Sequence, residues 1–398
     1  MNSTDIEIAA GRENDLPAGG ESDVAAGLKQ FLTKLCIAIT IFSLLLAIGE
    51  LVSYLYLRLN QPPAPHADLP VTADYLREIQ DSMRHQYLPF VQFRRQPYRG
   101  RYISVDEGGV RETPNSQCDD AQSLRIWMFG DSVLWGTGVA DRDTIPSQLA
   151  RLYNSSGQSV CIKNFAEQGW VSTQELVELL LQLKRDRPPD FVVFYDGTDE
   201  IVVAQGDAPK EIDQTYYRLR EIFETSQEES KPGLHFLERS NTVRALNLLS
   251  HRIRTRLSNA TTGLSSTQAE TEAESLVDNY RKNLEAVDTL ARAYGFQAVY
   301  FWYPTSSIGK KPLTTQERDF IRREIQKAPV RFQLKQAVYE ICSKMRRPNF
   351  FYLGNALDDR PTWFYLDNVH LTPDGNQIMA EKVFQVLTKT KSSPRNEQ

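Results

Sequence analysis

The chain has 398 residues, with 46 Lys and Arg against 51 Asp and Glu and a formal net charge of −5. That length buries a full core with room for appendages, and the mixed charge lacks the basic stripe of a nucleic-acid binder. Its histidines (His66, His85, His235, His251 and His370) are scattered, and no Cys or His spacing resembles a metal site, so no metal is expected; the chemistry set out below calls for no organic cofactor either.

In chain order, residues 1–34 form a polar, acid-rich tail, too long for a signal-peptide n-region and followed by no small-residue cleavage site. Leu35–Leu57 is a nearly unbroken apolar stretch of about the length that spans a bilayer, which predicts an uncleaved transmembrane anchor. Lys29 and Lys34 precede it and Arg58 follows, a slight bias that favours a cytoplasmic N-terminus and an extracytoplasmic C-terminal domain. Glu50 lies inside the stretch, where an ionisable group is costly. Either it meets a partner helix, such as one from a membrane partner protein, or it is protonated or reaches toward the headgroups; both readings stand.

Residues 58–72 read as a stiff stalk around Gln61-Pro62-Pro63-Ala64-Pro65-His66. From Ala73 to Thr113 the sequence suggests a small lead-in, with a hairpin at Tyr102-Ile103-Ser104-Val105 before Gly108-Gly109. Its basic cluster, Arg94, Arg95, Arg99 and Arg101, reads as a solvated rim. Cys118 precedes the first expected core strand and Cys161 lies within the second. An oxidising compartment would permit a disulfide between them, subject to their Cα separation. Cys36 belongs to the anchor, and Cys342, on a helical pattern, reads as a buried thiol.

The main domain, residues 73–390, alternates short apolar runs with helical patterns from Leu124 onward, and a polar tail, 391–398, follows. Strands are expected at Leu124–Phe129, Val160–Asn164, Phe191–Tyr195, Gln297–Trp302 and Asn349–Leu353. Helices are expected at Ile145–Tyr153, Thr173–Arg185, Ala273–Tyr294, Arg331–Met345 and Pro373–Thr388, with one apolar face at Leu176, Leu179, Leu180 and Leu183. This alternation predicts a three-layer α/β/α sandwich on a parallel sheet. Residues 202–272 interrupt the rhythm as a long polar insertion, flexible over Asn259–Thr271. It is either a lid near the active site or a plain surface elaboration.

Four short signatures fall at the ends of these elements. Phe129-Gly130-Asp131-Ser132 closes the first strand, followed by Trp135-Gly136-Thr137-Gly138. Asn164-Phe165-Ala166-Glu167-Gln168-Gly169 follows the second strand, and Tyr195-Asp196-Gly197-Thr198-Asp199-Glu200 the third. Asp367-Asn368-Val369-His370-Leu371-Thr372 precedes the last helix. A serine hydroxyl becomes a nucleophile when a base takes its proton and a third group orients that base; Ser132, His370 and Asp367 supply these parts. With these motifs the chain resembles the SGNH hydrolases, the GDSL-type esterases and acyltransferases, over about Leu124–Leu387. It is most similar to membrane-anchored bacterial members tied to cell-surface polysaccharide modification.

The resemblance implies a flavodoxin-like fold and an acyl-enzyme at Ser132, with His370 as base and Asp367 as its orienter. It implies an oxyanion hole from the backbone of Ser132 and Gly169. The family's third donor is an asparagine where this chain has Asp199, a residue that donates only if it is protonated. The expected substrate is an acyl ester, such as an O-acetyl group on a surface glycan, and water or a sugar hydroxyl would receive the acyl group. An inert, glycan-binding subunit is the alternative that Asp199 motivates. Trp135 and Tyr195 flank the site as candidates to stack on a sugar face, with burial in the core as the competing reading.

Overall fold

The computed structural model describes residues 20–60, 69–202, 240–260 and 265–392. Most of the expected tail, the proline-rich stalk, the stretch 203–239 of the insertion and residues 393–398 lie outside the described residues. The chain divides into two compact units, residues 1–62 with 231–258, and residues 63–230 with 259–398.

In the first unit, helix α1 (Gly20–Leu59) contains the apolar stretch and is long and apolar enough to cross a membrane. Glu50, on this helix, meets a partner within its own chain, the segment that opens a helix at Asn241–Ala260. Its carboxylate accepts from the Ser240 hydroxyl and from the backbone N–H groups of Asn241 (2.8 Å) and Thr242 (3.2 Å). First-turn N–H groups have no intrahelical acceptor, so a carboxylate there satisfies orphan donors and faces the positive end of the helix dipole.

The second unit starts with α2 (Ala73–Ser82), capped by Thr72, and two antiparallel pairs, β1 (His85–Leu88) with β2 (Gln92–Arg95) and β3 (Tyr98–Arg99) with β4 (Ser104–Val105). The sequence pattern anticipated only the last of these. The main sheet comprises β5 (Leu124–Gly130), β6 (Val160–Asn164), β7 (Phe191–Asp196), β8 (Gln297–Trp302) and β9 (Phe350–Tyr352). All are parallel, in the order β6-β5-β7-β8-β9. Between them run α3 (Ser132–Trp135), α4 (Ile145–Ser155), α5 (Ser172–Leu183) and α6 (Asp199–Val202). The helix at Asn241–Ala260 is α7, and α8 (Ser266–Tyr294), α9 (Thr315–Lys327), α10 (Pro329–Ser343) and α11 (Pro373–Ser392) follow among the described residues.

Strand alternation builds the layers. Ile126, Met128, Val193 and Tyr195 face one core with Leu149 and Tyr153 of α4 and Met379, Val383 and Leu387 of α11. Trp127, Phe129, Val192 and Phe194 face the other with Leu179 of α5, Leu276 and Leu284 of α8 and Leu334 and Val338 of α10. Successive side chains of a strand point to opposite faces, so near-continuous apolar strands fit a sheet buried on both sides. The three-layer sandwich is therefore present. On α5, Leu179 and Leu183 are buried, whereas Leu180 of the expected apolar face is exposed.

Two expectations are corrected here. The Ser/Thr-rich stretch does not stay irregular to Thr271: Ser265 caps α8 in a reciprocal box with Gln268, and the helix begins at Ser266. Arg94 and Arg95 are not a solvated rim but are fully buried, while Arg99 remains exposed. Cys118 and Cys161 form a disulfide across a Cα separation of 4.5 Å, and the Cys342 thiol is buried.

In this strand order the chain winds one way from β5 to β6 and the other way through β7, β8 and β9. The crevice at the carboxyl ends of β5 and β7 is the topological switch point, where open α/β sheets bind their ligands.

Candidate active site

Gly130 ends β5, where a Cβ would lie 2.6 Å from the backbone oxygen of Tyr195, so the chain reaches the crevice only with glycine there. Asp131 caps α3, its Oδ1 accepting from the Val133 N–H at 2.8 Å, and Ser132 takes the first helical position. The loop before α11 brings His370 back to this point. The Ser132 hydroxyl lies 2.9 Å from His370 Nε2, and His370 Nδ1 lies 2.6 Å from Asp367 Oδ2. The backbone N–H groups of Val369 and His370 both donate to Asp367 Oδ1 at 2.8 Å, fixing the carboxylate before it meets the ring.

The electrostatics agree with the geometry. Burial raises the Asp367 carboxyl, but the His370 charge and three hydrogen bonds outweigh it and hold the group below its ordinary value. Burial lowers His370, and the charge and hydrogen bond of Asp367, with the charge of Asp199, bring it above its ordinary value. An ionised Asp367 only accepts, so Nδ1 carries the proton and Nε2 is left to accept from the Ser132 hydroxyl. This is a serine beside a base, with the base oriented by a carboxylate.

Gly169 has φ +79°, a left-handed conformation that favours glycine. The Asp199 carboxyl lies near its N–H, an expected oxyanion donor, which favours the carboxyl's ionised form. Burial pushes Asp199 up to about 6, against the lowering influence of His370, the Gly169 N–H and Arg331.

Trp135 and Tyr195 do not face a substrate. Both are fully buried. Trp135 is sandwiched between the guanidinium groups of Arg95, 4.0 Å from its ring centroid, and Arg111, 4.2 Å away, while Tyr195 stacks on Tyr303. A ring covered on both faces has no surface left for a sugar.

Three residues that hold the site in shape escaped the sequence reading. Arg111 donates to the backbone oxygens of Trp135 (2.9 Å), Gly136 (2.7 Å) and Val139 (2.8 Å) and pairs with Asp141, so it clamps the end of α3. Arg95 pairs with Glu167 in the second signature. Tyr303, after β8, donates to Asp131 Oδ2 at 2.5 Å and accepts the Thr198 N–H at 2.8 Å, bridging the nucleophile loop to the third signature. Only the general preference of buried polar groups for partners points to such roles, and it names no partner from sequence.

No family model matches the chain, and no curated protein matches it. Among solved structures it is similar to a member of the lipolytic G-D-S-L family from Veillonella parvula, at 13% identity over 67% of this chain and 100% of that chain, with a TM-score of 0.35. A psychrotrophic esterase from Pseudoalteromonas sp. is 11% identical over 68% of this chain and 100% of its own, with a TM-score of 0.34. A carbohydrate acetylesterase family member from Sinorhizobium meliloti is 14% identical over 67% of this chain and 97% of its own, with a TM-score of 0.34. Likenesses this distant carry no weight for the chemistry, which rests on the side chains of this chain. Fold and site together define an α/β protein with a hydrogen-bonded Ser–His–Asp set at the switch point of its sheet, the arrangement that the SGNH resemblance implies.

Proposed function

We propose that this chain is a serine-dependent ester hydrolase of the SGNH type that removes acyl groups, O-acetyl above all, from a cell-surface glycan. The observation that carries this reading is the hydrogen-bonded chain from Ser132 through His370 to Asp367. In the first half-reaction His370 Nε2 takes the Ser132 proton as Oγ attacks the ester carbonyl, then returns it to the leaving sugar hydroxyl. In the second, His370 takes a proton from water as it attacks the acyl-enzyme, then gives that proton to the departing Ser132 Oγ as the carboxylic acid is released.

The negative charge on each tetrahedral intermediate needs aimed donors. The first-turn N–H of Ser132 is one, and the Gly169 N–H is the other. A protonated Asp199 can donate to the same oxygen, as buried carboxylic acids do. The glycan as substrate rests on the motif resemblance. Extracytoplasmic placement is supported by the Cys118–Cys161 disulfide, a bond of oxidising compartments, together with the apolar helix α1 as an anchor.

The reading is tested by incubating the full-length protein with a fluorophosphonate probe. Labelling that disappears in Ser132→Ala is expected. An unlabelled wild-type protein would instead make this an inert glycan-binding subunit, the outcome that an ionised Asp199 near Gly169 would explain. Acyl-donor assays with and without a sugar acceptor then separate hydrolysis from transfer.

A further inference from the structure

We infer that the ester substrate carries an anionic group, carboxylate or phosphate, received by a pocket of Arg323, Lys327 and Arg331 beside the Ser–His–Asp set. The inference rests on the esterase reading and narrows its substrate to an acidic glycan.

The pocket measures about 270 Å³, and Asp367 and Asn368 form one of its walls. It adjoins the triad and is of the size that takes one sugar unit rather than a macromolecular surface. Arg323 and Lys327 lie four residues apart on α9, so they share a helix face, and Arg331 follows in the first turn of α10.

The charge balance of the walls gives the pocket its sign. Both carboxylates that line it are already occupied. Glu324 receives Lys335 Nζ at 2.6 Å on each oxygen, and Asp367 is bound by His370 and two backbone N–H groups. The three cations have no such neutralisation: among the described residues none of them forms an ion pair. Arg323 rests its guanidinium over the Phe320 ring, 5.2 Å from the centroid, which holds the side chain without cancelling its charge. Asp319, one turn back, is paired with Arg322 instead. Arg331 also lies near enough to Asp199 to favour its ionised form, so the positive field reaches the oxyanion side of the site.

Three cations that form no ion pair among the described residues concentrate positive charge in one pocket of a chain of net charge −5. A cleft lined by one sign of charge concentrates the opposite sign. Guanidinium groups match carboxylate and phosphate oxygens bidentately. A neutral glycan would leave these cations without a role in binding.

The test uses full-length Ser132→Ala protein in detergent, titrated with polygalacturonate and with dextran of matched length. Polygalacturonate should bind at least tenfold more tightly, and its affinity should fall with added salt, because exposed charges are screened. Arg323→Gln with Lys327→Gln should remove most of the preference. Both side chains are exposed, so the fold survives, and a melting curve checks it. Glucuronate and glucose 6-phosphate as competitors distinguish carboxylate from phosphate; competition by either supports the inference. Equal binding of the two polymers, a preference that survives both substitutions, or competition by neither sugar would overturn it. The two readings fail separately. Charge-dependent binding without fluorophosphonate labelling of the wild-type protein removes the esterase and leaves the anion site, whereas labelling without any polymer preference removes the anion site alone.

Discussion

In the proposed mechanism Asp199 sets the working range of the site. Its carboxyl, pushed up to about 6 by burial, is neutral below that pH and charged above it. As pH rises through about 6, the new charge adds to the field that keeps His370 protonated and, in the proposed mechanism, repels the oxyanion. Both effects oppose turnover, because the base must be neutral and the oxyanion must meet donors. Asp199→Asn removes the charge and restores an amide donor. Its pH–rate profile should show an acid limb moved to lower pH, and its kcat should rise by up to about 10²–10³-fold, the worth of one oxyanion donor. A large loss of kcat would assign Asp199 another task. The motif spacing made the triad and this substitution legible in the sequence. It did not show that burial would raise the Asp199 carboxyl, because that burial is made by elements far apart in the chain.

At the scale of elements, the lead-in segment before the main sheet holds the nucleophile helix. α3 is a single turn and cannot position Ser132 by its own hydrogen bonds, since an isolated turn is unfavourable. Arg111 compensates by donating to three backbone oxygens at its end while covering Trp135. Arg111→Ala would strand those oxygens and the carboxyl of Asp141. It should cost about 3–5 kcal/mol of stability, as breaking a buried pair does, measured by denaturant melts. Arginine type alone gives no sign of this, since a buried arginine and a solvated one read alike until the partner is known. Trp135 and Tyr195 failed as sugar platforms for the same reason: exposure at a strand end depends on what later packs over it. Helix α9 had its signal in plain view, the Thr314-to-Glu317 capping box, yet its polar composition hid it from a search for apolar faces. The core strands were legible to within a residue or so because burial on both faces leaves them almost wholly apolar.

For the whole molecule, the sheet gathers a set of buried carboxyls behind the site, and their protonation links stability to pH. Burial raises Asp199 from 3.8 to about 6, Asp196 from 3.8 to about 7 and Glu200 from 4.5 to about 8. Each group binds its proton more tightly folded than unfolded. Its stabilising contribution is therefore complete below the unfolded value and is lost as pH rises through the folded one. Between about pH 5 and pH 8 the melting temperature of the second unit should fall, and Glu200→Gln should flatten the upper part of that decline. Asp367, held low, acts with the opposite sign, but only below its ordinary value of 3.8. A melting temperature that rises across this window would contradict the buried-acid account. The sequence showed acidic residues after the third strand. That they share one low-dielectric interior with Glu175 of α5 and Asp131 is a product of the fold.

The most direct measurement is a search for the covalent intermediate itself. The full-length protein is mixed with an activated acetyl ester, quenched within the first turnover, digested and weighed by mass spectrometry. One acetyl group on the peptide that contains Ser132, absent in Ser132→Ala and slow to form in His370→Ala, is the predicted result. Ester turnover with no acyl group on Ser132, or acetylation that is indifferent to the loss of His370, would contradict it.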